Sequence, residues 1–529
     1  MTRFIKITCA LALGCGLLSS VASAQTDASG GPLIPEQASY DVSFYDLDLD
    51  VNPDARTISG HLEVRAAVTN PLKWFVLDLD TALTVERVAA ATDDGEQVNL
   101  RIDYGGAPRV APRPPWRGGF TWAETPSGAP WIGVSVQSNG ADLWWPCKDH
   151  PSDEPDSMAI SVTVPKPLVV ASNGRLENVE EEGDSRTYHW FVSTPINNYG
   201  VSLNIAPYET IERTYTSSTG ETFPVTYWVL PENEEQGRGL MKQILDHLRF
   251  FEKHFGPYPF RADKYGVAET PYLGMEHQTI IAYGNEYRNN AFGFDDLHHH
   301  ELAHEWWGNL VTADDWKDFW IHEGFGTYTQ AMYVEELQGM DAYHRWMRNV
   351  RPRLLNVNPV APRESRTTKE MYFISVSSMQ TDNDIYYKGS WILHTLRYLI
   401  GDEAFHTALR RMAYPTEAAE QLTDGRQCRF ATTGDFLTIA EEVSGRDLDW
   451  FFDLYLHQPK LPTLVSERSG NTLQLSWETP DDLPFPMPVD VSIGGERRRV
   501  DMTGGQAALD VSAGQPVELD PDRWILKTQ

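Results

Sequence analysis

In the run YDLDLDV at 45–51, Tyr45, Leu47, Leu49 and Val51 fall on one face of an extended chain and Asp46, Asp48 and Asp50 on the other. A turn signal at Asn52-Pro53-Asp54 follows, and apolar positions resume at Leu62 and Val64. Similar short runs, broken by Gly, Pro and Asn, predict an N-terminal antiparallel β domain over residues 40–208. From residue 209 the period changes. Leu240, Ile244, Leu245, Leu248 and Phe251 recur at helical spacing ahead of Gly256-Pro257, which predicts a helix over residues 239–255. Helical patterns dominate to residue 458. Alternating runs such as LQLSW at 473–477 then return, separated by Pro, Asp and Gly-Gly turns, and predict a small β-sandwich over 459–529. The whole reads as a multidomain α+β chain without an internal repeat.

Length supports that division, because 529 residues exceed what one hydrophobic core accommodates. A hydrophobic content of 41% with 17 Trp supplies enough apolar material for several cores.

The first 24 residues have another character. Arg3 and Lys6 precede an apolar run, and Ala22-Ser23-Ala24 supplies a small-x-small site before Gln25, the pattern of a cleavable export signal. The run is broken by Gly14, Gly16, Ser19 and Ser20, which argues against a membrane anchor. The expectation is a periplasmic or extracellular protein without stable membrane insertion, opening on a flexible segment at 25–39. Cleavage would remove Cys9 and Cys15, leaving Cys147 and Cys428, either bridged or as buried thiols. A net charge of −31 repels phosphate backbones, so nucleic acid is excluded as a partner.

The chemistry concentrates in HELAH at 300–304. Positions four apart share one helix face, so His300 and His304 can reach a single cation, and Glu301 can meet a water beside it. Composition alone would produce such a string in about three in a hundred chains of this length. Asp295 and Asp296 suit the first turn of that helix, and Gly308-Asn309 its end. A catalytic zinc requires a third protein ligand. Glu323 lies 19 residues beyond His304 and begins a second amphipathic stretch that stops at Gly339. Antiparallel packing of the two helices would bring it to the metal. His298 and His299 lack partners at ligand spacing and suit surface or supporting positions.

HELAHEWWGNLVT with FWIHEGF resembles the zinc signature of the aminopeptidase N family, to which leukotriene hydrolase also belongs. FGPYPF at 255–260, WPCKD at 145–149 and WFFD at 450–453 agree with that family in order, so the resemblance spans residues 40–462. It implies a thermolysin-like, mainly helical catalytic domain at 209–458 that holds one zinc ion. It also implies peptide substrates with a free N-terminus. LGMEH at 273–277 stands where the family has Gly-x-Met-Glu-Asn, so Glu276 would bind the α-ammonium while Gly274 and Met275 offer backbone groups. Leu273 and His277 depart from that pattern. Gln137 matches the family's second amine anchor. Tyr386, in YYKG at 386–389, matches its oxyanion donor, with Tyr387 as the rival. Glu301 would be the general base. Tyr272 and Met275 would line the side-chain pocket. The chain ends about 70 residues past the helical region, which implies a short form without the large helical C-terminal domain, and a more open cleft. A thermolysin-type endopeptidase would share the zinc site without the amine anchor, and a silent peptide-binding protein would share the fold.

Overall fold

The computed structural model of the chain describes residues 5–8, 28–93, 96–378, 380–512 and 514–528. Most of the export-signal segment, with Cys9 and Cys15, lies outside them. Two compact units are present. The first comprises Met1–Trp316, Arg366–Lys369 and Thr416–Phe430; the second comprises Lys317–Ser365, Glu370–Pro415 and Ala431–Gln529.

In the first unit the strand Tyr40–Asn52 buries Tyr45, Leu47, Leu49 and Val51, the face given by the alternation. A register shift between Val42 and Phe44 moves the buried set from even to odd positions. The strand lies at the centre of a seven-stranded sheet. It pairs antiparallel with Thr57–Val68 but parallel with Ser157–Pro165, so the sheet is mixed. The long connection between those two parallel partners supplies a four-stranded sheet's first members, Gly119–Glu124 and Pro130–Ser135.

Strands continue past the residue at which the periodicity changes. Glu209–Thr216, Thr222–Val229, Tyr265–Glu269, Ile281–Tyr283 and Gly274–Met275 form one five-stranded sheet. Helix α1 (Glu234–Phe255) is the crossover between the parallel neighbours Thr222–Val229 and Tyr265–Glu269. It begins five residues earlier than the apolar spacing indicates, because Pro231 starts a single 3₁₀ turn and Glu234 and Glu235 suit the helix's positive end. A side chain at Gly237 would come within 3.0–3.1 Å of Ile211, Tyr227 and Val229, so a glycine there lets α1 sit down on the sheet. Helix α2 (Asp296–Ala303) follows.

The second unit opens with α3 (Trp320–Gln338), stopped at Gly339 as the sequence indicates. Every residue from Trp320 to Val334 is buried, so α3 is an interior helix and not an amphipathic one. After it come α4 (Met340–Val350) and α5 (Thr368–Tyr372), whose last residues belong to this unit. The remaining helices are α6 (Asp384–Ile400), α7 (Asp402–Ala413), α8 (Thr433–Ser444) and α9 (Asp449–Tyr455). Helices α3 and α6 cross where both carry glycine. A Cβ on Gly324 would stand 3.1 Å from the Cα of Gly389 and from the carbonyl of Ile385.

The C-terminal strands form two three-stranded sheets, one of Thr463–Ser469, Thr472–Glu478 and Gln506–Asp510, the other of Glu496–Val500, Val489–Ile493 and Val517–Leu519. Lys388 of α6 ties the segment before them to the helices by donating to the carbonyls of Gln458 and Pro459. Tyr455 of α9 does the same at the far end, donating to Leu526 O at 2.6 Å. The N-terminal β-rich region, the helical region and the C-terminal strands thus follow the expected order.

The glycine crossing gives a stability prediction. Gly324→Val forces a branched side chain against the backbone of α6 and should lower the thermal midpoint by about 3 °C or more. An unchanged midpoint in differential scanning calorimetry would show that the two helices do not meet there.

Candidate active site

Asp295 caps α2, its Oδ1 accepting from His298 N at 3.0 Å, and its carboxylate also accepts from the Tyr283 phenol and from Asn285. That cap fixes where the helix starts and therefore which residues share its face. His300 and His304 do share it. Their rings lie 4.7 Å apart, nearly perpendicular, with Nε2 atoms separated by 3.2 Å. His304 Nδ1 donates to Trp307 O at 2.9 Å, so Nε2 is the nitrogen of His304 that carries no proton. The helix itself stops at Ala303, short of Gly308-Asn309. Beyond it Asn309, Leu310 and Val311 donate to the carbonyls of His304, Glu305 and Trp306, a run of wide five-residue turns.

Two carboxylates converge on that pair at His304. Ligand atoms of Glu276, Glu301 and His304 all lie within 4.8 Å of one another, and all three residues are buried. Glu301 rests against the short strand Gly274–Met275. A Cβ at Gly274 would come within 2.7 Å of Glu301 Oε1 and 2.9 Å of Leu297, so any larger residue would push the carboxylate aside. Met275 packs with Tyr272 and Ala282 in one buried cluster.

Glu276 is 1% exposed. Its Oε1 accepts from Gln137 Nε2 and from the Tyr199 phenol, the latter at 3.0 Å, while Asn309 Nδ2 donates to its carbonyl at 3.1 Å. Gln137 and Glu276 are 139 residues apart in sequence, so the resemblance had named two members of one hydrogen-bonded pair. Tyr199 had not been named. It is the middle residue of the Asn197-capped turn Asn198–Gly200 and leans on Trp316 at 5.5 Å between ring centroids. Nothing local in NNYGVS marks it, and only long-range pairing could have found it.

His277 is fully buried, and neither ring nitrogen has a hydrogen-bond partner among the described residues. Burial pushes its pKa down to about 3, so the ring stays neutral and acts as an aromatic filler. Leu273 is exposed. His298 and His299 are fully buried, so surface positions are ruled out for both. His298 lies between His247 Nδ1 at 2.8 Å and the Tyr265 phenol at 2.9 Å, and His299 packs on Phe250 and Phe251. Cys147 and Cys428 are both free thiols.

In the second unit Glu323 occupies the first turn of α3 and is 2% exposed. Its Oε1 accepts from the Tyr372 phenol at 3.1 Å, and Tyr372 in turn accepts from Tyr386 at 3.1 Å. The rival phenol points elsewhere. Arg353 donates to Tyr387 Oη at 2.8 Å and lies over its ring. Tyr372 is a second residue that the sequence reading missed.

Residues 241–455 match the peptidase family M1 domain. Aminopeptidase N of Haemonchus contortus is 24% identical over 478 residues, covering 79% of this chain and 47% of that protein. Human glutamyl aminopeptidase is 26% identical over 340 residues, covering 60% of this chain and 33% of that protein. The crystal structure of a mutant M1 zinc metallopeptidase from Deinococcus radiodurans, bound to a Tyr-Ser-Ala substrate, superposes with a TM-score of 0.64. It is 25% identical and covers 83% of this chain and 98% of its own. The matched domain, the relatives and the solved structure together support the aminopeptidase N family. It spans between a third and a half of the length of the two curated relatives named.

The family implies zinc, and the residues fit it. Zinc–imidazole bonds of about 2.0–2.1 Å in a tetrahedral site set two nitrogens about 3.3 Å apart. The observed 3.2 Å between the Nε2 atoms matches that edge, and the Nδ1 bond to Trp307 selects the tautomer that ligation needs.

The buried His277 carries a pH signature. Its folded pKa lies below the unfolded value of about 6.5, so its contribution to stability is complete above that pH and is lost on acidification toward the folded value. His277→Asn removes this contribution. The thermal midpoint of the variant relative to the parent should therefore rise as the pH falls from 7.5 to 5, and a difference independent of pH would contradict a neutral buried imidazole.

Proposed function

We propose that the chain is a zinc-dependent aminopeptidase that removes single residues from peptides with a free N-terminus. One observation carries this reading. A buried carboxylate, Glu276, is held by Gln137 and Tyr199 with its ligand atom within 4.8 Å of those of Glu301 and His304. An acceptor for a substrate ammonium, a candidate general base and a candidate metal ligand thus occupy one small volume. With the ammonium at Glu276, only the first peptide bond lies in reach of Glu301.

The roles follow from chemistry. His300 and His304 hold the metal, and Glu323 supplies the third ligand, supported by its 19-residue spacing from His304 and the family's zinc signature. Zinc, when bound, polarises the scissile carbonyl and acidifies water toward neutral pH. Glu276 and Gln137 orient the amine, and the backbone of Gly274 and Met275 receives the peptide. Glu301 takes a proton from the attacking water and returns it to the leaving amine. Tyr386 donates its phenol proton in a hydrogen bond to the tetrahedral oxyanion, a contact of about 3 kcal/mol in comparable sites. Names of the relatives support the substrate class: aminopeptidase N and glutamyl aminopeptidase are both exopeptidases by description. Among the described residues no helix is long and apolar enough to cross a membrane. The export signal read at residues 1–24 supports action outside the cytoplasm.

A peptide and its N-acetylated form separate this activity from an endopeptidase that uses the same zinc site. The free peptide should lose its first residue at least about a hundredfold faster, because acetylation removes the charge that Glu276 binds. Equal cleavage of the two would make the enzyme an endopeptidase. Cleavage of neither by zinc-loaded protein would make it a binding protein.

A further inference from the structure

Tyr372 stands between two groups with proposed roles in the reaction. Its phenol donates to Glu323 Oε1 and accepts from Tyr386, each at 3.1 Å. A phenol has one proton, so the two bonds run in one direction, from Tyr386 through Tyr372 to the carboxylate. The bridging ring is held by packing: Tyr372 is 4% exposed, with its ring 5.3 Å from that of Phe319 and nearly perpendicular to it. Its carbonyl accepts from Asp382 N at 2.7 Å, which ties it to the approach to α6. Glu323 and Tyr386 belong to the two helices whose approach is set by Gly324 and Gly389. Tyr372 therefore spans a crossing whose width is fixed by backbone against backbone.

We infer that Tyr372 is a positioning residue that couples the third zinc ligand to the oxyanion donor. Its proton holds Glu323 Oε1 by a charge-assisted bond, which fixes the carboxylate's orientation. Its oxygen gives the Tyr386 hydroxyl an acceptor before substrate arrives and sets where that phenol stands. This role rests on the proposed functions of Glu323 and Tyr386.

The test is Tyr372→Phe, which keeps the ring and its packing on Phe319. Zinc affinity is measured by chelator competition, and kcat and KM on an amino-acid amide. Zinc binding should weaken about tenfold or more, and kcat should fall about tenfold or more. KM should stay within about twofold, since Gln137, Tyr199 and Glu276 hold the amine independently. In the double variant with Tyr386→Phe, kcat should fall by less than the product of the two single losses. Zinc affinity and kcat both within about twofold of the parent would overturn the inference, as would single losses that multiply. Glu323→Gln separates the two levels. If that variant binds zinc as tightly as the parent, the ligand assignment fails and this inference with it. If it loses zinc while Tyr372→Phe changes nothing, only the role of Tyr372 fails.

Discussion

His304 can offer Nε2 to a metal only because its other ring nitrogen is committed to Trp307 O. The tautomer is thereby set by the backbone, before any ion arrives. That carbonyl is where it is because the chain leaves α2 in wide turns at residues 304–311 and does not continue as a straight helix. The other parts of the site are arranged around this fixed imidazole. His300 lies one helical turn back on the same face, and α2 is held at its start by the Asp295 cap. Glu276 and Glu301 close in from the residue just past the strand Gly274–Met275 and from α2 itself.

Crowding two carboxylates beside an imidazole is unfavourable unless each has its own partners. Gln137 and Tyr199 supply donors to Glu276 from the N-terminal β region, which gives that region a direct part in the site. Gly274 contributes by lacking a side chain, leaving room for the Glu301 carboxylate against the strand. The departure from the family pattern at His277 falls on a buried, neutral ring. It leaves Glu276 and its donors in place. The departure at Leu273 falls on an exposed side chain.

How much of this was legible depended on the range of the interaction. The HELAH face could be read because helical periodicity is local, and the burial of Tyr45, Leu47, Leu49 and Val51 because strand alternation is local. The short strand Gly274–Met275 and the parallel pairing of Tyr40–Asn52 with Ser157–Pro165 depend on partners distant in sequence, and periodicity does not encode them. Tyr199 and Tyr372 act on residues 77 and 49 positions away and sit in unremarkable local sequence, so no motif singled them out. Helix α3 looked amphipathic because Thr327, Thr329 and Gln330 are polar, yet all three are buried. His298 and His299 looked polar for the same reason, and their rings are instead packed among aromatic groups.

His300 and His304 stand with their Nε2 atoms 3.2 Å apart, the spacing that tetrahedral zinc ligation needs. Anomalous diffraction from crystals of the zinc-loaded full chain, recorded on both sides of the zinc absorption edge, tests it most directly. The expected peak lies about 2.0–2.1 Å from both Nε2 atoms, with Nδ1 of His304 still on Trp307 O. A zinc peak elsewhere in the molecule, or imidazoles turned away from it, would show that this pair does not hold the metal.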